Sequence, residues 1–543
     1  MVVQPEDVFG VCEQANLPGT IDEHPNWQRK LPVPPEEWAA DRRFRDLASA
    51  LNAARADLRH TEASIPRATY RLQLHSEFTL ADATRLIPYL DTLGISHIYC
   101  SPYLRARAGS RHGYDIVDHG ALNPEIGSLQ DFNRFVAALR QHGMGHIADM
   151  VPNHMGVMGA DNAWWMDVLE NGPASRYAHF FDIDWWPNDR DLAGRVLLPV
   201  LGVPYGSALE SGEIELRFEP ERGAIVAWYR AHRFPLDPQT YPMIFYEVAG
   251  EGAAPESIEG LARLTDALRS IPTRDVGAAR FDKRRQACER GHRELASLAA
   301  SDPQLVNSIG RVVERVNRNV DRLHEILEAQ AYRLANWRVA FDEINYRRFF
   351  DINELAALRM EHQPAFEMTH DFVLELAASA MIDGLRVDHP DGLYDPAAYF
   401  AQLQKEYAQR AGLAVDATAR PLYVVAEKII APHEHLSEAW HVHGTTGYRY
   451  ANAVNGLLVD SGARSPIDRI WRTFVGDEAD DFETIAYEAR RAMLRGPLAA
   501  GLTVLANQAL GLARSDRHSR DHTLASLRQG LAEIAACFPV YRT

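Results

Sequence analysis

Cysteine is scarce in this chain: four residues (Cys12, Cys100, Cys288 and Cys537) stand singly among 543. With no CxxC and no framework spacing, neither a zinc ribbon nor a disulfide scaffold is encoded, and the usage suits a reducing, cytoplasmic compartment. No His or carboxylate spacing calls for a metal, so neither metal nor cofactor is expected. Long apolar runs are missing too. No uninterrupted stretch reaches the 18 or so residues a membrane helix needs. The start, MVVQPEDVFG, lacks the basic and apolar regions of a signal peptide. Basic charge is in deficit, with 57 Lys and Arg against 74 Asp and Glu and a net charge of −17. Such a surface repels phosphate backbones and anionic membranes, which argues against nucleic acid or membrane as partners. Finally, no GxGxxG follows the first strand and no GxxxxGK[ST] occurs anywhere, so the usual phosphate-cradling loops are absent. No repeat of fixed period and no low-complexity tract is present.

What is there is ordinary globular material, 46% hydrophobic and 24% charged, enough for several domains at about 100–200 residues each. Residues 17–38 are rich in Pro and turn formers, and 39–60 read as one amphipathic helix. From Ile65 a strand–helix rhythm begins. RATYRLQL (67–74) is a strand, 80–94 a helix closed by Gly94, and 95–102 a buried strand. A helix over 128–143 opens at Ser128 and closes at Gly143, and HIADMVP (146–152) is a third strand. The rhythm then breaks. Residues 155–250 hold the pairs Trp164–Trp165 and Trp185–Trp186 and short β-like runs, and 255–340 read as helical throughout, including 304–337. This excursion looks like an insertion rather than more sheet. The rhythm resumes with a helix at 371–384, strand LRVDHP (385–390), a helix, strand LYVVAEKII (422–430) and a sixth β-like segment near 441–454. Long helices follow from Asp481. The expected domains are a leader (1–60), a first barrel part (61–154), an inserted subdomain (155–345) and a second barrel part (346–543). Short connectors in a βαβ order point to a parallel sheet, either a (β/α)8 barrel or a doubly wound sheet. The missing nucleotide loops favour the barrel.

In a barrel, chemistry sits at the C-terminal ends of strands, and here each end supplies something. HGYD (His112 to Asp115) follows the second strand. The third ends in Asp149, Asn153 and His154, the fourth in Arg386, Asp388 and His389, and the fifth in Glu427 and Lys428. Carboxylates facing each other across a barrel mouth suit glycosyl transfer, with one as nucleophile and the other as acid/base. Residues i and i+2 of a strand share a face, so Arg386 lies beside Asp388 and is expected to keep it ionised. Glu427, in an apolar strand, is expected to be desolvated and so to have a raised pKa, as a proton donor needs. Singly, each feature has an ordinary structural explanation: an ion pair, a solvated strand end, a loop cap. Four of them in barrel order are harder to dismiss.

These motifs resemble the α-amylase clan, where DxVxNH, GxRxDxxH-like and xxxE blocks follow successive barrel strands. GISHIYCSPYLRARAGSRHGYDIVDHGALNPEIG, HIADMVPNHMG, FDEINYRRFFDINELAALR, DGLRVDHPDGLYDP and HGTTGYRYANAV resemble, more closely, the maltooligosyl trehalose synthase family, over about 65–543. The resemblance implies an α/β fold of the (β/α)8 type with a long, mostly helical insertion after the third strand. It implies Asp388 as nucleophile and Glu427 as acid/base. Arg386 and His154 would contact the nucleophile and the bound glucose ring, and Tyr114 would stack on that ring. Asp149, Asn153, Asp115 and His389 would support the site, with His112 and Lys428 counted among the substrate contacts. The implied activity is that of a (1→4)-α-D-glucan 1-α-D-glucosylmutase, an isomerase of maltooligosaccharides. Residues 1–38 resemble instead the C-terminal end of amylomaltase, a 4-α-glucanotransferase.

One departure stands out. The family's third carboxylate, in wording like KGxEDTAFYRY, has no counterpart, and strands seven and eight are expected to be absent. The barrel is therefore expected to be incomplete, with open strand edges and exposed apolar helix faces, and trehalosyl-forming activity in this chain is expected to be negligible. Three functions follow as expectations. The first is intramolecular conversion of the reducing-end α-1,4 bond of a maltooligosaccharide to α,α-1,1. The second is 4-α-glucanotransferase or amylase-like hydrolysis with the same carboxylates, and the third is glucan binding without catalysis.

Overall fold

A computed structural model describes residues 32–47, 65–274, 280–414, 416, 418–476 and 481–540. The leader to residue 31 and most of the expected 39–60 helix lie outside the described residues. Before the gap, a 3₁₀ turn over Pro35–Ala40 precedes a short helix at 42–47.

Six parallel strands form the main sheet, in the order Thr69–Leu72, His97–Cys100, Gly145–Met150, Gly384–Val387, Tyr423–Ala426 and Gly444–Thr445. The two central strands, Gly145–Met150 and Gly384–Val387, are buried along their whole length, as parallel strands covered on both faces must be. The helices between them start where their caps dictate. Thr79 and Asp82, and Ser128 and Asp131, each form a reciprocal capping box, which satisfies amide donors that the first turn leaves orphaned. Gly94 and Gly143 sit just past the helix ends at φ of 86° and 64°, a left-handed conformation that favours glycine. The helix before the fourth strand starts earlier than the sequence reading had it, at Gln363 with Pro364 in its first turn.

Between the third and fourth strands the chain leaves the sheet through a narrow neck. His154–Gly156 pairs antiparallel with the returning strand Ile352–Ala357, with His154 opposite Ala357 and Gly156 opposite Leu355. Beyond the neck, the β-like runs expected in 155–250 form small sheets, joined by one strand from the stretch read as helical. Ile214–Glu219, Ala224–Tyr229 and His232–Pro235 form an antiparallel sheet, and Val196–Leu201 pairs in parallel with Tyr332–Asn336. The stretch 304–337 is accordingly not one helical run. It breaks at Asn319, whose side chain accepts the Arg322 amide to start a new helix, and its end is the strand Tyr332–Asn336. Helices Phe281–Ser301 and Pro303–Asn317 pack on the antiparallel sheet, and Pro255–Arg269 packs against Phe281–Ser301. One hydrophobic core runs continuously from the main sheet through the insertion.

After the fifth strand the pattern changes again. The sixth segment contributes only two residues to the sheet before the helix Tyr448–Leu457 begins. That helix and Arg464–Val475 bury no residue at all. Among the described residues no single helix is long and apolar enough to cross a membrane.

Candidate active site

The register of the main sheet builds the site. Arg386 lies opposite Asp149 on one side and opposite Val425 on the other, and its side chain is almost wholly buried. One of its terminal nitrogens donates to Asp149 Oδ1 at 2.8 Å and to Asp388 Oδ1 at 2.7 Å. The other reaches Glu427 Oε1 at 3.0 Å. A single guanidinium thus gathers the carboxylates at the ends of three adjacent strands. The chain continues the sheet's hydrogen bonding just far enough to aim them, since the Asp388 amide donates to the Met150 carbonyl and the Glu427 amide to that of Val387.

Further hydroxyls and amides fix the carboxylates. Tyr99 and Tyr114 both donate to Asp149 Oδ2, at 2.5 and 2.8 Å. The His389 amide donates to Glu427 Oε2 at 3.0 Å, and the Tyr448 hydroxyl to Oε1 at 3.1 Å. His389 adopts a left-handed backbone (φ 42°) to make this bond, strain of the kind that concentrates at functional sites. Asp388 Oδ2 is buried and receives no donor. Tyr114 reaches the centre because the chain turns at Gly113, with φ of 81°, where a Cβ would lie 2.5 Å from the Pro102 carbonyl.

Three carboxylates around one cation cannot all ionise cheaply, and the protonation pattern reverses both sequence expectations. Burial and the neighbouring Asp149 charge push Asp388 well above the usual carboxylate range, and Arg386, although in contact, does not offset them. It is therefore not simply kept ionised. Glu427 moves the other way. Burial works to raise it, but Arg386, the His389 amide and the contacts with Asp388 and Tyr448 outweigh burial and lower it. Of the two, protonation is thus favoured on Asp388 and ionisation on Glu427. Asp149 is also raised, by burial against the pull of Arg386 and the two tyrosines. His154 is pushed down to about 3, first by burial and then by His389, so it is neutral, and its buried Nε2 has no hydrogen-bond partner.

These groups open into a cleft of about 430 Å³ lined by Tyr114, His154, Arg386, Asp388 and Glu427, with His112 and Asp115 toward one side. Four sequence candidates do not line it. Asp149 sits behind Arg386. Asn153 is buried, its side-chain oxygen accepting from Arg347 at 3.1 Å. His389 packs its ring against Phe349 and Phe350. Lys428, counted as a substrate contact, points away and is buried, with Nζ 3.3 Å from Asp391 and 3.1 Å from Glu434. Sequence reasoning missed the opposite wall. Arg107 and Glu354 form an ion pair there, and Phe349, Ile352 and Leu355 come from the returning side of the neck. Arg107 lies in the PYLRARAG motif and the others in FDEINYRRFFDINELAALR, two blocks that resemble the family but assign these residues no role. Among the described residues no cluster of His, Cys, Asp and Glu could hold a metal.

The chain is similar to known proteins in sequence and in fold. Residues 79–199 match the model of the alpha amylase catalytic domain. A putative maltooligosyl trehalose synthase of Mycobacterium tuberculosis is 34% identical over 405 residues, covering 74% of this chain and 39% of that protein. The solved maltooligosyltrehalose synthase from Arthrobacter ramosus superposes with a TM-score of 0.62 at 31% identity, over 88% of this chain and 48% of the other. A structure described as DSM5389 glycosyltrehalose synthase gives 0.62 at 26% identity, over 88% and 50%. The chain thus spans about two-fifths to half the length of the relatives it matches.

Proposed function

We propose, starting from a chain that is an incomplete α-amylase-type barrel and a relative of the maltooligosyl trehalose synthases, that its cleft serves intramolecular transglucosylation of linear α-1,4-glucans. The observation that carries this reading is the Arg386 guanidinium holding Asp388 and Glu427 by its two ends. Two carboxyls held on one guanidinium suit the retaining class, in which one forms a covalent glycosyl-enzyme.

The steps follow from the groups present. Asp388 attacks C1 of the glucose residue next to the reducing end, while Glu427 protonates the departing glycosidic oxygen. The C1–O4 bond breaks, an ester to Asp388 forms, and a free glucose remains in the cleft. Its anomeric hydroxyl then attacks C1 of the ester and gives its proton to Glu427. Asp388 is released and an α,α-1,1 bond results, with no net consumption of water. Glu427 must be protonated and Asp388 ionised at the start, the reverse of the bias that burial and Arg386 impose on the free site. Tyr114 offers its ring and His154 its unpartnered Nε2 to the sugar bound beside Asp388. The described cysteines are free, which supports a reducing, cytoplasmic setting for such an enzyme.

The test is product analysis on maltopentaose, together with the intact mass of acid-quenched enzyme. In this chain alone the rate is expected to be negligible; extended to the length of its relatives, the chain should remove reducing ends without glucose release and carry a glycosyl adduct on Asp388. Asp388→Asn should remove both, by roughly 10⁴–10⁶-fold in rate, the scale of deleting a covalent nucleophile. New reducing ends would identify a hydrolase, and chain-length scrambling a 4-α-glucanotransferase. Binding of maltopentaose with neither adduct nor product would identify an inert glucan-binding unit.

A further inference from the structure

The insertion holds a second cavity, of about 300 Å³, that shares no residue with the catalytic cleft. It is lined by Trp186, Arg195, Gln239, Thr273, Arg274 and Gln330 over a floor of Pro173, Ala193 and Gly194. Trp186 at its rim and the adjacent Trp185 have opposite fates. Trp185 is buried, with its indole N–H donating to the Ala178 carbonyl. Trp186 is 66% exposed although its backbone is fixed, its amide donating to Asp184 Oδ1 at 3.1 Å and the Trp185 carbonyl accepting from Gly194 at 2.8 Å. No other ring among the described residues contacts its indole. A large aromatic surface is thus held in water beside a polar cavity, where an apolar face could be covered.

The cavity's polar groups define what would cover it. Gln330 is fully committed: its oxygen accepts the Asp237 amide and its nitrogen donates to the Ile326 carbonyl. Gln239 donates to the Ile271 carbonyl. These walls are already built and cannot rearrange freely. Arg195 pairs with Glu328 at 3.1 Å, and Arg274 lies 3.3 Å from Asp237, a carboxylate it shares with the buried Arg284. A paired guanidinium keeps spare N–H donors, since it carries five. A flat apolar platform, spare guanidinium donors and the Thr273 hydroxyl suit a hydroxyl-rich ring.

We propose that this cavity is a second binding site for α-glucan, in which Trp186 stacks on the face of one glucose unit and Arg195 and Arg274 bond its hydroxyls. The choice of α-glucan rests on the function proposed above; the site itself does not take part in the chemistry.

Calorimetric titration of the whole chain with β-cyclodextrin, a closed α-1,4-glucan without chain ends, tests this. Trp186→Ala should weaken binding at least tenfold with no change in melting temperature. Trp186→Phe should keep part of it, and Tyr114→Ala in the cleft should leave it intact. Absence of binding by the parent chain, equal binding by Trp186→Ala, or loss of binding with Tyr114→Ala would each overturn the proposal. So would displacement by inorganic phosphate, which would mark an anion site. Failure of the catalytic reading shows separately, in the products from maltopentaose, and leaves the cyclodextrin result standing.

Discussion

The helices Pro303–Asn317 and Arg464–Val475 carry the same kind of apolar stripe at helical spacing. The first, inside the insertion, buries Leu305, Ile309, Val312, Val313 and Val316. The second buries nothing, and leaves Ile470 69% and Phe474 83% exposed. Periodicity states that a helix has a face to cover and says nothing of what covers it. The insertion and the main sheet share one core, whereas the region from Tyr448 to Val475 adds no buried residue to it.

Substitutions can break or sharpen this contrast. The largest effect is expected for Val312→Lys, which puts an unpaired charge into the insertion's core. It should cost more than about 4 kcal/mol and lower the urea midpoint steeply. Next comes the insertion's buried ion pair. Arg284 Nη2 lies 2.6 Å from Asp237, both fully buried, and Arg274 shares the same carboxylate. Arg284→Met should cost about 3–5 kcal/mol, because Asp237 loses its closer partner without being able to reach water. Chemical unfolding of the variant measures it.

A smaller, pH-dependent effect is expected at His292. Burial opposes its charge, but Glu170 at 3.1 Å and the Gly223 carbonyl raise its pKa to about 9, from an ordinary 6.5. Its folded pKa lies above its unfolded one, so its stabilising contribution is complete below pH 6.5 and disappears as the pH rises through 9. His292→Gln should therefore flatten the fall in melting temperature across that interval. If the fall is unchanged, the Glu170 pair contributes nothing. The smallest change is expected for Ile470→Lys, within about 0.5 kcal/mol of the parent. A loss as large as that of Val312→Lys would mean that this face is covered in solution.

The elements legible in the sequence were those with local signals. Ser128–Asp131 and the glycines at 94 and 143 mark helix ends whatever surrounds them. The strands before Asp149, Asp388 and Glu427 are apolar runs of strand length. The protonation of the site was not legible, because it depends on register: only when Arg386 is known to lie opposite Asp149 is its charge seen to be divided among three carboxylates. The break at Asn319 was hidden in a run of helix-forming composition that ends in the strand YRLAN. Lys428 is a different case. Successive residues of an extended chain point to opposite sides, so placing Glu427 in the cleft already turned Lys428 away from it. The Arg107–Glu354 wall joins two motifs that nothing in one sequence says are neighbours.

Arg386 and Asp149 are 237 positions apart, yet the neck at His154–Gly156 and Ile352–Ala357 brings the intervening chain out and back at one point. The entropy of closing a loop rises only logarithmically with its length, and a folded excursion with its two ends already paired leaves little of that loop open. The search that brings the third strand to the fourth is thereby shortened from hundreds of residues to a few on either side of the neck. Residues added to or cut from the far end of the excursion leave that search, and the spacing of Asp149 from Asp388, as they were. The insertion can lengthen, shorten or acquire a new surface while the three carboxylates keep their places around one guanidinium.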